Sequence, residues 1–335
     1  MPEGGAHRTI AEAQGDMIDV SVIVVNLNTR ALLAECLASV LHSKGEKEVI
    51  VVDNGSVDGS AEMVERDFPH VQLIRNKTNE RFAKPNNDAM KSAQGRYVLL
   101  LNSDASLKDS ALEKLVTYMD AHSDVGMCGP QLLYPDGRVQ PSCRGFVSLW
   151  SHACDMLLLD RLFRRSRFFA RSEMTFFDHL SEREVDHVMA AAVLVRMSAV
   201  QRVGMFDESF SIYYNDLDWS YRMKRAGWRI VFYPEAQVVH HLGRTARPMI
   251  RDLEIFREQH DNILYFYEKH FGRHTAILYK GLLIVGFAPR ALFWLGRLLV
   301  DRSDHVRAHT EFSIRTFLYG LSFWKSSKSR PDQNV

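Results

Sequence analysis

Residues 96–104 read Arg-Tyr-Val-Leu-Leu-Leu-Asn-Ser-Asp, and this stretch decides the fold class that we predict. Five apolar residues run without a break and stop at Asn102, Ser103 and Asp104. A short apolar run that ends at turn-forming residues indicates a strand buried on both faces, here Tyr97–Asn102. In open α/β sheets, ligands bind beyond the carboxyl ends of such strands. The three polar residues are therefore binding-site candidates, although all three are also ordinary turn formers.

The segments that flank this strand repeat the same alternation of strand and helix. Apolar, β-prone runs predict three further strands at Val20–Asn26, Glu48–Val52 and Val71–Arg75. Residue spacing and capping signals predict helices over residues 29–41, 60–67, 85–93 and 110–121. Strands that alternate with helices of this length imply βαβ units, so we predict an α/β fold with a mostly parallel central sheet.

Two carboxylates, Asp53 and Asp104, follow strands of this predicted sheet. Because parallel strands end at the same edge, we expect both side chains along one carboxyl edge. This arrangement suits a nucleotide: one carboxylate accepts from the base or ribose, and the other holds Mg²⁺ or Mn²⁺ on the diphosphate. The alternative for Asp53 is a turn residue that bonds its own backbone. The sequence contains neither G-x-G-x-x-G nor the P-loop pattern, which disfavours dinucleotide and P-loop functions.

The pattern changes after residue 125. Two runs flank the turn Pro135-Asp136-Gly137 and predict a hairpin over residues 126–142. Residues 146–184 are rich in aromatic residues and arginine, and we predict an insertion over the mouth of the active site. A solvated basic face is the alternative for this segment. A further strand is predicted at Val185–Arg196.

Acidic residues open a helix that we predict from Asn215 to about residue 226. Asp218 and Arg222 are four residues apart and can pair on it, and acidic groups in a first helical turn are favoured whatever the function. Two short strands follow, over residues 229–233 and 236–239, and then His240. A single histidine is more often structural, but beside Asp104 it becomes a candidate metal ligand.

Composition restricts the broad class of protein. The chain has 335 residues, 46% of them hydrophobic, which suffices for one large domain or two modest ones. Lysine and arginine number 42 against 41 aspartate and glutamate, so overall charge gives no signal for nucleic acid. The four cysteines are scattered without a C-x-x-C pair and predict reduced thiols in a cytosolic compartment. Residues 1–18 lack an apolar core of a signal peptide and are predicted to be a disordered lead.

The C-terminal region is apolar and basic. Residues 275–330 contain nine lysines and arginines and three acidic residues, a net charge of +6. In the apolar stretch 277–300 the longest uncharged run, residues 281–289, is nine residues long, whereas a membrane span needs about 20. We therefore predict amphipathic helices that lie in the membrane interface, with packing on the core as the alternative. The predicted divisions are a catalytic domain at 19–248, a membrane-proximal helical region at 249–325 and a disordered tail at 326–335.

Ordered motifs indicate a resemblance to a known family. The motifs stand at residues 22–26, 51–59, 79–87, 102–104, 129–137, 215–218 and 240–243. The chain resembles family 2 glycosyltransferases of the GT-A fold from about residue 20 to 273. It is most similar to rhamnosyltransferase-like members of bacterial surface polysaccharide synthesis.

The resemblance implies a role for particular residues. Asp53 lies where these enzymes contact the nucleobase of the donor, Asp104 where they bind a divalent metal, and Asp216 where they place the general base. His240 could complete the metal site. Further donor contacts are expected from Asn26, Asn28, Asn54, Arg81, Asn86, Asn102 and Ser103. Acceptor contacts are expected from Asp218 and Trp219.

The resemblance also implies a reaction. We expect an inverting transfer of a sugar from a nucleotide diphosphate, first of all dTDP-L-rhamnose, to a saccharide or polyprenyl-diphosphate-linked acceptor. The cofactor is expected to be Mg²⁺ or Mn²⁺, and the location the cytoplasmic face of the cell membrane, bound peripherally through residues 275–325. Nucleic acid is not an expected partner, and a homodimer is possible. The alternatives are a sugar-1-phosphate nucleotidyltransferase and a non-catalytic scaffold that binds sugar nucleotides.

Overall fold

A mixed sheet of ten strands forms the centre of the molecule. The computed structural model describes residues 18–210, 213–241 and 253–323, so the predicted tail and all but Ile18 of the predicted lead lie outside the described residues. The strands are β1 Val20–Asn26, β2 Lys47–Asp53, β3 Gln72–Arg75, β4 Tyr97–Asn102, β5 Ala105–Leu107, β6 Val125–Leu133, β7 Val139–Gln140, β8 Cys143–Arg144, β9 Arg183–Glu184, β10 His187–Val188, β11 Ala192–Arg196 and β12 Arg229–His240.

The main order of the sheet is β3-β2-β1-β4-β11-β6-β12-β5, and β7 and β9 pair with β6 and β12. The first four strands are parallel, β6 and β12 are also parallel, and β11 runs antiparallel between β4 and β6. The predicted mostly parallel sheet is thus confirmed for its N-terminal half. Strands β8 and β10 form a separate two-stranded sheet.

Helices cover both faces of the sheet because successive strand residues point to opposite sides. Leu99 and Leu101 of β4 belong to one apolar cluster, and Val98 and Leu100 belong to the other. The helices are α1 Arg30–His42, α2 Ser60–Asp67, α3 Ala83–Ser92, α4 Ala111–Ala121, α5 Leu149–Met156, α6 Leu159–Leu162, α7 Met197–Val203, α8 Asn215–Arg225, α9 Leu253–Phe271, α10 Arg273–Val300 and α11 Asp304–Leu321. Burial on both faces explains the unbroken apolar run of β4.

Two strand predictions need correction. The predicted strand 185–196 is two strands, β10 and β11, because the chain leaves the small sheet and joins the large one between them. In this crossing, the Met189 N–H donates to Ser142 O and Ala191 O accepts from Asn102 N. Conversely, the two short strands predicted after residue 228 are one strand, β12. Its register with β6 shifts around Pro234, which has no N–H to donate to a neighbouring strand.

The C-terminal helices pack on one another and on the catalytic region. Within the described residues, α10 is the one helix long and apolar enough to cross a membrane by length and composition, and 17% of its most apolar stretch is buried. Helix α11 runs back along it, since the Lys280 amine donates to Ser322 O and the Thr310 hydroxyl donates to Trp294 O. Helix α5, from the insertion, also contacts α10, because the Arg290 guanidinium donates to Met156 O.

Candidate active site

The carboxyl ends of β1 and β2 hold a buried polar pair. Asn26 and Asp53 are register partners, and the Asn26 amide donates to Asp53 Oδ2 at 3.0 Å. Asp53 Oδ1 accepts from the Ser56 N–H at 2.9 Å, so the carboxylate also fixes its own turn, as the alternative interpretation expected. Each carboxylate oxygen has a second lone pair, which leaves Asp53 able to accept from a nucleobase.

A chain of side chains joins this pair to the end of β4. The Thr29 hydroxyl donates to Asn26 Oδ1 at 2.6 Å and lies 2.8 Å from the Ser103 hydroxyl. Thr29 is the residue before α1, but its side chain makes no capping bond to that helix. The ends of β1, β2 and β4 therefore form one hydrogen-bonded edge, as predicted for the first half of the sheet.

Two of the predicted donor contacts, Asn28 and Asn54, lie in loops beside this edge. Asn28 Oδ1 accepts from the Val57 N–H at 2.8 Å, which ties the loop after β1 to the loop after β2. Asn54 donates to Asn79 Oδ1 and Arg81 O and accepts from Asn76 and the Glu80 N–H. Because all four hydrogen bonds of this amide are used inside the protein, the donor contact expected of Asn54 does not fit.

Asn86 and Arg81 are also engaged within the protein. Asn86 is buried in α3, where its amide donates to Phe82 O at 2.8 Å, so the donor contact expected of it does not fit this placement. Arg81 adopts a left-handed backbone with φ of 67° and forms a two-pronged ion pair with Glu258 of α9, at 2.6 and 2.7 Å. The guanidinium that was expected to face the donor is thus neutralised by a carboxylate of the C-terminal helices.

Asp104 and His240 meet at the predicted metal site. Asp104 follows β4, His240 ends β12, and the Nε2 atom of the imidazole lies 3.3 Å from Asp104 Oδ1. Gln140 Oε1 lies 2.8 Å from His240 Nδ1 and must accept from it, so Nδ1 carries the proton in this arrangement. Nε2 then presents a lone pair beside a carboxylate oxygen, with the Asn102 amide 3.4 Å away.

This donor set fits a divalent cation that is shared with a substrate. One carboxylate and one imidazole are ligands for Mg²⁺ or Mn²⁺, which take their remaining positions from phosphate oxygens and water. Gln140 orients the imidazole in the manner of an outer-sphere partner. Within the described residues, no group of three or more histidine, cysteine, aspartate or glutamate side chains could hold a metal. The protein therefore offers a partial site that a diphosphate can complete.

Asp216 lies in the first turn of α8 and keeps part of its carboxylate exposed, at 28% of the side chain. Oδ1 accepts from the Leu217 N–H at 2.9 Å, and Oδ2 lies 3.6 Å from Nε2 of His187. Burial lowers the pKa of His187, although the charge of Asp216 acts in the opposite direction. Sequence analysis missed His187, whose only signal was a polar residue inside the apolar run of the predicted strand.

Asp218 and Trp219, the expected acceptor contacts, face the interior. The Asp218 carboxylate is fully buried between Arg222, Lys269 and His270, at 2.8, 2.8 and 2.7 Å. The Trp219 indole donates to Gly204 O at 2.8 Å and is buried. The prediction that they contact the acceptor is therefore wrong, because neither side chain presents a surface for a ligand. The predicted pairing of Asp218 with Arg222 is confirmed.

A short segment links the two parts of the site. Ala191 O accepts from the Asn102 N–H at the end of β4, and His187, four residues earlier, contacts Asp216. Four residues span at most about 14 Å, so the Cα of His187 lies within that distance of the Cα of Ala191, which is hydrogen-bonded to the end of β4. The strand ends and the start of α8 thus border the same region.

The fold and these strand-end acids define a class of protein, the nucleotide-sugar transferases. Residues 21–183 match the family model for glycosyl transferase family 2. The chain is 30% identical over 243 residues to the N-acetylglucosaminyl-diphospho-decaprenol L-rhamnosyltransferase of Mycobacterium tuberculosis, which covers 67% of this chain and 77% of the relative. The chain belongs to glycosyltransferase family 2, and it is a glycosyltransferase.

Other similar proteins agree with this assignment. The O-antigen biosynthesis protein RfbC of Myxococcus xanthus is 28% identical over 205 residues, which are 60% of this chain but only 15% of that protein. A mannosyltransferase of Pyrobaculum calidifontis, solved with GDP-Man and Mn²⁺, has a TM-score of 0.52 at 16% identity and covers 90% of this chain and 86% of its own. GalNAc-T7, solved with UDP, GalNAc and Mn²⁺, gives 0.53 at 14% identity and covers 76% of this chain and 51% of its own. These structures confirm the predicted fold class.

Proposed function

We propose that this glycosyltransferase inverts the anomeric centre of its donor sugar and uses Asp216 as the general base. The partly exposed carboxylate of Asp216 carries the proposal. Within the described residues its one ion-pair contact is to His187, whose pKa is lowered by burial, against the charge of Asp216. Within the part of the chain that the structure describes, Asp216 has no lysine or arginine in ion-pair contact, and its carboxylate can take a proton from an acceptor hydroxyl.

Inversion follows from the groups proposed for the reaction. An acceptor hydroxyl loses its proton to Asp216 as its oxygen attacks the anomeric carbon, and the bond to the diphosphate breaks on the opposite side. No enzyme nucleophile takes part in this proposal, so a single displacement occurs and the configuration at the anomeric carbon inverts. The nucleoside diphosphate leaves with the electron pair of the broken bond.

The donor binds along the carboxyl edge of the sheet in this proposal. Asp53 accepts from the nucleobase, while Asn26, Asn28, Asn102 and Ser103 shape the adjoining surface. Neither Asp53 nor Asp104 has a lysine or arginine in ion-pair contact within the described residues, and Arg81 is held by Glu258. In this proposal a divalent cation meets the charge on the diphosphate. Mg²⁺ or Mn²⁺, held by Asp104 and His240, would supply positive charge that stabilises the leaving diphosphate.

The donor and acceptor classes rest on the named relatives. The Mycobacterium tuberculosis relative is an L-rhamnosyltransferase that acts on a decaprenol-linked sugar, so we propose dTDP-L-rhamnose as donor and a polyprenyl-diphosphate-linked saccharide as acceptor. The product would enter cell-surface polysaccharide synthesis.

Because the proposed acceptor is lipid-linked, we propose that the enzyme works at the cytoplasmic face of the membrane, with α10 in the plane of the interface. Helix α11 packs along α10, because Phe312 contacts Phe287 and the His309 ring stacks on Trp294. Helix α11 carries Asp304, Arg307, Glu311 and Arg315, which hydrocarbon would not accommodate. This packing favours peripheral binding over a membrane span for α10.

The test is to follow both products with the purified protein. Candidate nucleotide sugars are first screened with Mg²⁺ or Mn²⁺ by thermal shift, since a ligand that binds the folded state raises the melting temperature. The best donor is then incubated with a short-chain polyprenyl-diphosphate saccharide, and we expect release of a nucleoside diphosphate and a product of inverted anomeric configuration by NMR. A retained configuration would remove Asp216 from the proposed role. Release of pyrophosphate would instead indicate nucleotidyl transfer.

A further inference from the structure

A short part of the insertion exposes large apolar side chains. Residues 157–168 form the segment that we name the insertion tip, and they follow α5 and include α6. Leu157, Leu162 and Phe168 are 65%, 72% and 63% exposed, and Leu158 and Phe163 are also exposed. Five large exposed apolar residues in twelve are unusual for a surface that faces only water, because contiguous apolar patches mark binding surfaces.

The insertion tip is also strongly basic. Arg161, Arg164, Arg165 and Arg167 are exposed, and Asp160 is the one acidic residue among them, so the tip carries a net charge of +3. No aspartate or glutamate among the described residues forms an ion pair with any of these four guanidinium groups; Arg167 instead lies over the ring of Phe176. The charges are thus available to an anionic partner.

The insertion tip begins where α5 contacts α10. The rings of His152 and Tyr279 lie 4.9 Å apart, and a Cβ on Gly286 would meet Met156 Sδ at 2.9 Å. The Arg290 guanidinium donates to Met156 O, one residue before the tip. Helix α5 therefore lies along α10 and delivers the tip to the C-terminal half of that helix.

Helix α10 exposes its own apolar stripe beside this contact. Leu278, Val285, Leu292 and Leu299 are spaced by seven residues, so they share one side of the helix, and all four are exposed. Phe293 is 59% exposed and lies on the same side as Gly286 and Arg290, which contact α5. The apolar surface of α10 thus continues towards the insertion tip.

We propose that the insertion tip and the stripe of α10 form one membrane-docking surface, and that its partner is a bilayer rich in anionic lipid. This inference extends the peripheral location proposed above and rests on it. Leucine and phenylalanine side chains enter the boundary between headgroups and acyl chains, while the arginines contact lipid phosphates. After the tip, the chain continues into β9 and β10, and His187 of β10 contacts Asp216. Docking of the tip therefore brings the proposed site to lipid-linked acceptors.

Charge favours a bilayer over a second copy of this chain. In a two-fold dimer the same patch meets itself, so four arginines of one copy would face four of the other. Like charges in such a contact repel, whereas anionic headgroups neutralise them. The patch therefore fits a partner of opposite charge.

Vesicle co-sedimentation tests the surface directly. The full chain is mixed with phosphatidylcholine vesicles with and without phosphatidylglycerol, and we expect binding that requires the anionic lipid and weakens with salt. The double variant Arg164→Glu/Arg165→Glu and the single variant Leu162→Asp should each lower the partition coefficient at least about tenfold. The matched controls are Arg202→Glu on α7 and Leu41→Asp on α1, two exposed positions outside the surface, and both should bind as the unaltered protein does.

The outcomes separate this inference from the proposed function. Circular dichroism and the thermal shift with donor confirm that each variant is folded, and donor turnover in solution should be unchanged because no altered residue touches the site. Vesicle binding that survives both insertion variants but is lost in Val285→Asp/Leu292→Asp would remove the insertion tip from the surface. A concentration-dependent dimer that Leu162→Asp dissociates would assign the patch to self-association. Binding to anionic vesicles without any sugar transfer would contradict the proposed reaction but would still support the docking surface.

Discussion

The carboxyl edge of the sheet and the start of α8 hold their carboxylates by opposite means. At the edge, Asp53 is held by the amide of Asn26 and a backbone N–H, and no lysine or arginine of the described ranges pairs with it. On α8, Asp218 is held by Arg222 of the same helix and by Lys269 and His270 of α9. In the proposed function, the negative charge of the edge is available to a metal and a nucleotide, whereas the charge of Asp218 anchors α8 to α9.

This difference assigns separate tasks to two acids only two residues apart. Asp218 fixes α8 against α9, and Asp216, in the same helical turn, remains partly exposed beside His187, whose pKa is lowered by burial. A rigid helix start holds the general base of the proposed reaction in place, and rigid support of this kind is what positioning for catalysis requires. Four substitutions test this difference.

The largest effect is expected from Asp216→Asn. Removal of the general base should lower the rate of transfer by about 10³-fold while donor binding stays nearly unchanged, because the amide cannot take the acceptor proton. The measurement is nucleoside diphosphate release with acceptor present, together with the thermal shift caused by donor. Asp109→Asn, at an exposed loop position, is the control and should keep full activity. Full turnover by Asp216→Asn would show that another group is the base.

The next effect is on stability, from Asp218→Asn. The amide leaves the charges of Arg222 and Lys269 and the His270 ring without the buried Asp218 carboxylate, although Lys269 keeps Asp207 at 2.6 Å, so the free energy of unfolding should fall by about 3 kcal/mol. The measurement is urea unfolding near neutral pH, where the same change at Asp216 should cost far less. Equal losses for the two variants would contradict the division of tasks.

The same variant has a signature in pH. Burial would raise the pKa of Asp218, but the hydrogen bond from His270 and the charges of Arg222 and Lys269 outweigh it and leave the pKa well below its usual range. A lowered folded-state pKa means that this stabilisation is complete above the ordinary value of about 3.9 and is lost as the pH falls further. The free energy of unfolding of the unaltered protein should therefore fall steeply with decreasing pH below about pH 4. For Asp218→Asn the free energy of unfolding should depend less on pH in that range.

A smaller effect is expected from Gln140→Leu at the edge. Loss of the carbonyl that orients His240 should weaken the apparent affinity for Mg²⁺ or Mn²⁺ by about 10- to 100-fold. The measurement is the metal concentration that gives half-maximal donor turnover. Gln94→Leu, at an exposed position, is the matched control. An unchanged metal requirement would mean that His240 does not act as a ligand.

The smallest effect is expected from Glu258→Gln, at the ion pair between the loop before α3 and helix α9. The ion pair with Arg81 is partly exposed, so its loss should lower the free energy of unfolding by less than about 1 kcal/mol, and high salt should remove the difference. Unfolding at low and high salt measures this, with Glu35→Gln on α1 as control. A large, salt-independent loss would show that α9 depends on this pair for its attachment.

The local pattern of the chain determined the edge of the sheet. The unbroken apolar run before Asn102 and the β-prone run before Asn26 fixed the bounds of β4 and β1, because a strand buried on both faces must be apolar throughout. Side chains at the ends of neighbouring parallel strands lie at one edge of the sheet, so the local pattern alone predicts that they meet. The four cysteines are free and buried, as their scattered spacing predicted.

Which of the two acids of α8 is buried depends on tertiary packing. Two aspartates in one helical turn look alike in sequence, and the answer lies in Lys269 and His270, about fifty residues later, whose packing could not be read from local spacing. The same holds for His187, which reaches Asp216 only because the chain leaves one sheet for another between β10 and β11. Periodicity records which face of an element is apolar, whereas the placement of a charge depends on the distant groups that pack against it.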